Sequence, residues 1–525
     1  MKRYLKSLLG FMLVLVMSTG IVFANNYVVQ PGDMLWKIAV ENGTSIEAIQ
    51  EANDLSNPNI LIPGQELAIP GQAPKYVIML IGDGLGFSQR QISEYYQQTT
   101  NGTKAQLVMN QFPIAGVNTT YSANSLITDS AAAGTALASG VKTNNGVIGK
   151  DADNHNVPTL VELAEKKGMA TGIVTTTRLT HATPAAFATH NESRGNESEI
   201  AVDYLDSGVD FLAGGGIRYF IPASTPKDQK DYAGNTIKSK RKDELDVVAS
   251  FEDLGYKTFI GKKGTDAFKS TQLQAGDQVL ALFTYSHLPY EIDRVNTAPE
   301  LPSLAEMTDK AIDLLEEDKD GFFLMVEGGR IDHAAHQNDA AAMVEDTLAF
   351  DEAVRVAVEF YNAHPAETLV LVVGDHETGG LGLGMDTNGY FVDPTELGKA
   401  KISIADALAY TDLAYDGDRD AYYVTLETEL GLTDLTETEI EKLEAAMDAQ
   451  DAGETFGYYS YDPAPVAVAH IVSERANIFW TTTIHTGTAI PMSAMGVESD
   501  AFLGYKDNTE IAKTLAEIMG VSLAN

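Results

Sequence analysis

The sequence predicts an α/β protein: a doubly wound, mostly parallel central sheet flanked by helices, with an inserted cap subdomain and a small amino-terminal βααβ domain. Three observations carry this prediction. Short apolar runs recur as "YVIMLIGDG", "ATGIVTTT", "GFFLMVEGG" and "TLVLVVGDHE", each ending in polar or glycine residues. Strands buried on both faces read this way, and open α/β sheets gather functional groups at the carboxyl ends of their strands. Helical patterns alternate with these runs, and residues from about 383 to 475 interrupt the rhythm.

The chain opens with basic residues, a short apolar run broken at Ser18 to Gly20, and Val22-Phe23-Ala24. That order reads as an export signal over residues 1 to 24, cleaved after Ala24; the alternative is a retained anchor. No later segment is apolar for long enough to span a bilayer. Export points to an extracellular or wall-associated protein, periplasmic where an outer membrane exists. The chain has no cysteine, so disulfides, a lipidated cysteine and thiolate metal sites are excluded. Any zinc must be held by His, Asp or Glu. A net charge of -38 argues against general nucleic-acid binding, which rests on clustered Lys and Arg. It describes a solvated acidic surface, on which an anionic substrate must be attracted locally by metals or an arginine.

Residues 26 to 70 form the first module. Tyr27 to Val29 reads as a strand, Leu35, Ile38 and Ala39 as one helical face, Ile46 and Ile49 as a second, and Glu66 to Ile69 as a closing strand. The order Tyr-x-Val, Gly-Asp-x-Leu, Ile-Ala, Asn-x-Leu and Ile-x-x-Gly-Gln-x-Leu-x-Ile-Pro resembles a LysM module. The resemblance implies binding to N-acetylglucosamine glycans such as peptidoglycan.

"PGQAP" then links to a second domain, residues 75 to 525. Its insertion, residues 383 to 475, is acidic and tyrosine-rich and contains the helical "ETEIEKLEAAM"; it reads either as a cap subdomain or as a surface excursion.

Chemistry-bearing residues fall at the strand ends. Asp83 closes the first run, Glu327 the third, and Asp375-His376 the fourth. In "MVEGGRIDHAAH", Asp332 and His336 stand four apart, which on a helix puts both on one face, in reach of one metal ion. His485 lies in a Gly/Thr-rich loop, and "TDSAAAGTALASG" places Asp129 and Ser130 ahead of an alanine-rich helix. By itself Ser130 reads as a helix cap, with the nucleophile as the alternative.

The ordered set "IGDGLG", "TDSAAAGTA", "HATPAAFATHNESR", "VEGGRIDHAAH", "GDHETGG" and "HTG" is similar to the alkaline phosphatase family across residues 75 to 520. The resemblance implies hydrolysis of phosphate monoesters through a phosphoserine at two zinc ions and one magnesium ion. It assigns Asp332, His336 and His485 to one zinc, Asp83, Asp375 and His376 to the second, and Asp83, Thr183 and Glu327 to magnesium. Ser130 corresponds to the nucleophile, Arg194 to the phosphate-binding guanidinium, and Asp129 to the carboxylate that steers it. Two metals would then hold the entering and leaving oxygens of an in-line displacement. His181 and His333 stand at positions that vary among relatives, beside the magnesium site and the phosphate; they either tune metal affinity and pH optimum or make water-mediated contacts. A calcium site found near "LFEPG" in some members is not expected here, where "LFTYS" has Thr284 in place of the acidic ligand. The alternatives are a phosphodiesterase or sulfatase of the same superfamily, or a glycan-binding wall protein with an inactive large domain. The oligomeric state, monomer or homodimer, stays open.

Overall fold

A computed structural model describes residues 24–41, 46–53, 55, 57–70, 73–227, 230, 236–385 and 389–523. The segment read as an export signal lies outside the described residues up to position 23. The chain divides into two compact units, Met1–Gln72 and Ala73–Asn525.

In the first unit, strands Ala24–Val28 and Glu66–Pro70 pair antiparallel, with Tyr27 opposite Leu67. Helices Leu35–Glu41 and Ile46–Ala52 lie between them in sequence. The helical periodicity has a direct packing consequence: Leu35, Ile38, Ala39 and Ile49 are buried with Val29, Leu67 and Ile69 in one small core. Asn53 explains the Asn-x-Leu signature. Its amide donates to the carbonyls of Ile49 and Ala68 (2.8 and 2.6 Å) and accepts from the Ala68 N–H at 2.8 Å, so one side chain ties the second helix to the closing strand.

The second unit is built on a ten-stranded sheet. Its order is Gly504–Lys506, Ile114–Asn118, Ile490–Gly496, Thr368–Gly374, Tyr76–Gly82, Phe322–Gly328, Ala170–Arg178, Phe211–Gly215, Val279–Leu282 and Lys257–Ile260. Only Ile490–Gly496 runs against the rest. The four apolar runs seen in the sequence are the four adjacent central strands. Tyr76, Ile78 and Leu80 point into one core while Val77, Met79 and Ile81 point into the other. Period-two alternation with apolar residues at every position is what a doubly covered strand requires.

The segment expected as an insertion leaves and re-enters through a two-stranded ribbon, Leu381–Leu383 against Ile478–Trp480. It carries the helices Arg419–Leu430, Glu437–Asp451 and Pro463–Arg475. Buried carboxylates of the main domain fasten its first part. Asp339 Oδ2 accepts from the Ile404 and Ala405 N–H groups at 2.6 and 3.0 Å, while its Oδ1 caps the long helix Ala340–Ala363 through Ala342 N. Asp293 accepts from the Ser403 N–H and hydroxyl at 2.8 and 2.6 Å. A buried carboxylate is tolerated where backbone donors converge on it. Asp339→Ala removes three charge-assisted bonds, one of them the helix cap, and should lower unfolding free energy by about 2–4 kcal/mol in denaturant titrations.

Candidate active site

The sheet register assembles the first cluster. Gly82 is aligned with Gly374, so Asp83 and Asp375 leave neighbouring strands at the same level, while Glu327, aligned with Ile81, lies on the adjacent strand two residues below Asp83. All three are buried. Gly84 allows this strand end to meet the next helix: its φ is +72°, and a Cβ there would stand 2.9 Å from the Asp332 Cα. That is the physical content of "GDG".

The helix Arg330–His336 presents Asp332 and His336 on one face, with His336 Nε2 3.3 Å from Asp332 Oδ2. His336 Nδ1 donates to the Thr483 carbonyl, and His485 Nδ1 to that of Thr128, both at 2.8 Å. These backbone acceptors turn the two Nε2 atoms toward each other, 3.1 Å apart. His376 stacks on His485 with ring centroids 3.5 Å apart, and its Nε2 lies 3.1 Å from Asp375 Oδ2 and 3.3 Å from Asp83 Oδ1.

Ser130 is the first residue of the helix Ser130–Ser139, but it is not the cap. Asp129 caps, accepting from the Ala132 N–H at 3.0 Å. The Ser130 hydroxyl therefore stays clear of the backbone and lies 3.2 Å from His376 Nε2. The second Asp129 oxygen accepts from the Gly146 N–H at 2.9 Å and from Arg194 Nη1 at 3.0 Å. One carboxylate thus sets the helix start and the position of the guanidinium.

Concentrating these groups has an electrostatic cost. Burial, then the charges of Asp375, Asp332 and Glu327, pushes the Asp83 carboxyl well above its ordinary range. Burial likewise raises Glu327 to about 7. Burial would raise Asp332 too, but His336, His485 and His376 hold it well below. Asp83 Oδ1, Asp375 Oδ2, Glu327 Oε1 and His181 Nδ1 are buried with no hydrogen-bond partner. Orphaned acceptors of this kind, facing imidazole nitrogens across about 3 Å, fit divalent cations. Among the described residues, three groups have ligand atoms within 4.8 Å of one another: Asp332, His376 and His485; Asp83, Asp375 and His376; and Asp83, His181 and Glu327. The first is extended by His336 at the distances above. In the third, a His181 ring nitrogen stands with two of the carboxylates assigned to magnesium by the family resemblance, and the Thr183 hydroxyl lies 3.4 Å from Asp83 Oδ2. The first group is imidazole-rich, a donor set that suits zinc, whereas the second and third each join two carboxylates to one imidazole, a mixed set that fits a divalent cation.

His333 packs against His181 and against His287, which lies outside the six sequence motifs, with ring centroids 5.2 and 4.4 Å away. Burial and the nearby arginines hold all three imidazoles well below their ordinary value, so they are neutral near pH 7. His287 follows the strand Val279–Leu282 in "LFTYSH", so the strand-end rule that selected Asp83 also points to it. Tyr459 has no such signal: it comes from the insertion, yet its ring lies 4.9 Å from that of His336.

Comparison with known proteins agrees with this architecture. The alkaline phosphatase family model matches residues 74–521, and the LysM domain model matches residues 27–70. Alkaline phosphatase 3 of Bacillus subtilis is 35% identical over 450 residues, covering 84% of this chain and 88% of the relative. The repressible alkaline phosphatase of Saccharomyces cerevisiae is 32% identical over 485 residues, covering 86% and 82%. Among solved structures, the cold-active alkaline phosphatase of Shewanella sp. superposes with a TM-score of 0.70 at 32% identity, covering 85% of this chain and 99% of that one. The Thermus thermophilus alkaline phosphatase gives 0.71 at 29% identity, covering 86% and 92%.

Exhaustive chelation should lower Tm by several degrees, and zinc with magnesium should restore it, because the buried carboxylates then lose their compensation. Asp83→Asn should raise the Tm of the chelated protein while shrinking the increment that metal restores. Equal metal increments in both proteins, read by scanning calorimetry, would contradict a cation at Asp83.

Proposed function

The chain belongs to the alkaline phosphatase family and carries a LysM domain, and from that premise we propose that it is an exported phosphomonoesterase, tethered to wall glycan, that works through a phosphoserine at Ser130. The observation that carries this reading is the Ser130 hydroxyl. It stands at a helix start, 3.2 Å from His376, with Arg194 anchored on the capping Asp129.

In the proposed reaction Arg194 grips two non-bridging oxygens of the phosphoryl group, a bidentate contact that lysine makes less well. The N–H groups of the first turn after Ser130 add the positive end of the helix. Ser130 Oγ attacks phosphorus in line; its O–P bond forms as the ester O–P bond breaks, and the alcohol leaves on the opposite side. Water then attacks the phosphoserine, which releases inorganic phosphate and returns the serine hydroxyl. Two zinc ions, one held by Asp332, His336 and His485 and the other by Asp83, Asp375 and His376, with magnesium at Asp83, Thr183, Glu327 and His181, would supply Lewis-acid stabilisation of charge on the reacting oxygens. Asp129 fixes the guanidinium plane, and Thr128 and Thr483 fix the imidazoles. His181 also meets Arg194, its Nε2 lying 3.3 Å from Nη2, and so links the magnesium group to the phosphate grip.

The amino-terminal module supplies the tether. Met34 and Trp36 are exposed although apolar, as a surface that receives sugar rings requires. The proposed secretion to the wall is supported by this glycan-binding module and by the signal-like order of the first 24 residues.

Hydrolysis of p-nitrophenyl phosphate should exceed that of bis-p-nitrophenyl phosphate by orders of magnitude; a faster diester reaction overturns the monoesterase reading. Ser130→Ala should remove turnover and leave binding to peptidoglycan intact. Trp36→Ala should do the reverse, weakening retention on insoluble peptidoglycan on the order of tenfold with turnover unchanged.

A further inference from the structure

We propose that the hairpin formed by residues 456 to 461 of the insertion is a subsite for the alcohol half of the substrate, and that it favours phosphate monoesters whose alcohol carries a planar ring. This inference rests on the phosphomonoesterase reading and adds a substrate preference to it.

The hairpin is built to hold its position. Phe456 and Tyr461 exchange backbone hydrogen bonds of 2.8 and 2.9 Å, and Gly457 and Ser460 take positive φ values of 72° and 59° to turn between them. Gly457 seats the turn on Thr483: a Cβ there would fall 2.6 Å from the Thr483 hydroxyl. Thr483 is the residue whose carbonyl orients His336. The hairpin is therefore registered directly against one of the proposed ligands on the side from which the alcohol departs.

Its aromatic rings are presented outward. Tyr459 stands edge-on to His336, with the ring planes at 84°, and Tyr458 stands perpendicular to Tyr459 at 5.1 Å. Tyr459 is 51% exposed and Tyr458 77% exposed. The His485 side has a matching apolar flank. Its Nδ1 partner is the Thr128 carbonyl, and the two residues before Thr128, Leu126 and Ile127, are 82% and 40% exposed. Thus the pair of facing imidazoles has an aromatic border on its His336 side, and two residues past His485 a Cβ on Gly487 would stand 3.8 Å from Ile127 Cγ1, which sets this exposed aliphatic segment beside the His485 loop.

Geometry decides which half of the substrate meets these borders. Ser130 and Arg194 hold the phosphoryl group on the His376 and Asp129 side. In-line displacement puts the departing oxygen opposite Ser130, toward Asp332, His336 and His485. A ring attached near that oxygen comes beside Tyr459, where aromatic pairing contributes beyond area burial. A small polyol lacks the surface to use it. Apolar side chains left exposed around a polar centre are the usual make-up of a ligand site.

The test compares kcat/KM for phenyl phosphate, adenosine 5'-monophosphate and glycerol 3-phosphate in the wild-type protein, Tyr459→Ala, Tyr459→Phe and Tyr458→Ala. Metal content and competitive inhibition by inorganic phosphate are measured alongside. Tyr459→Ala should lower the phenyl-to-glycerol ratio about tenfold, with Tyr459→Phe near wild type and the inhibition constant for phosphate unchanged. A parallel fall for the nucleotide extends the subsite to rings one sugar away; a fall for phenyl phosphate alone confines it to aryl esters. An unchanged ratio, an equal loss on all three esters, or weaker inhibition by phosphate overturns the subsite and leaves Tyr459 as packing for His336. If the wild-type protein releases phosphate from none of the three, it is the phosphomonoesterase reading that fails.

Discussion

Asp83, Glu327, Asp332 and Asp375 are buried together at the carboxyl ends of adjacent strands and the neighbouring helix, and their mutual repulsion is the constraint around which the domain is arranged. No cluster of this kind is stable as bare anions in a dry interior. The protein supplies part of the compensation itself, through His336, His376 and His485 beside Asp332 and Asp375. It leaves the rest as acceptors with no protein partner. The parallel sheet makes such crowding geometrically possible, because strands in register deliver Asp83 and Asp375 to one level and place Glu327 two residues below on the next strand.

The same economy of anchoring recurs around the cluster. Asp129 caps a helix and aims Arg194; the capping role taken by the carboxylate is what leaves the Ser130 oxygen available. Carbonyls of Thr128 and Thr483 orient two imidazoles by their Nδ1 atoms, so that both Nε2 atoms face inward. Asp293 and Asp339, buried in the main domain, tie the insertion down at Ser403, Ile404 and Ala405. An insertion fastened this way can hold Tyr459 at a defined place beside His336, where a loose excursion would not.

Much of this was legible in the sequence because strand and helix geometry are local. Apolar runs ending in polar or glycine residues identify the central strands, three of them closing on Asp or Glu, and Asp332 with His336 follows from helical spacing alone. The edge strand Lys257–Ile260 and the antiparallel Ile490–Gly496 were harder to read. The first is partly exposed, and the second is amphipathic toward its end. Ser130 looked like a cap because serine and aspartate are both good caps; only the three-dimensional bonds show that Asp129 takes the role. Sequence spacing does not say which way a ring at a helix start turns, so it does not reveal that a His181 ring nitrogen comes within reach of Asp83 and Glu327. Tyr459 lies more than a hundred residues from His336, and no periodicity links the two.

The most direct test of the central claim is diffraction from crystals of the purified protein, recorded on either side of the zinc absorption edge. The expected anomalous map has two zinc peaks, one among Asp332, His336 and His485 and the other among Asp83, Asp375 and His376, beside Ser130. A map without zinc at either place, with the carboxylates instead protonated or paired to protein groups, would contradict it.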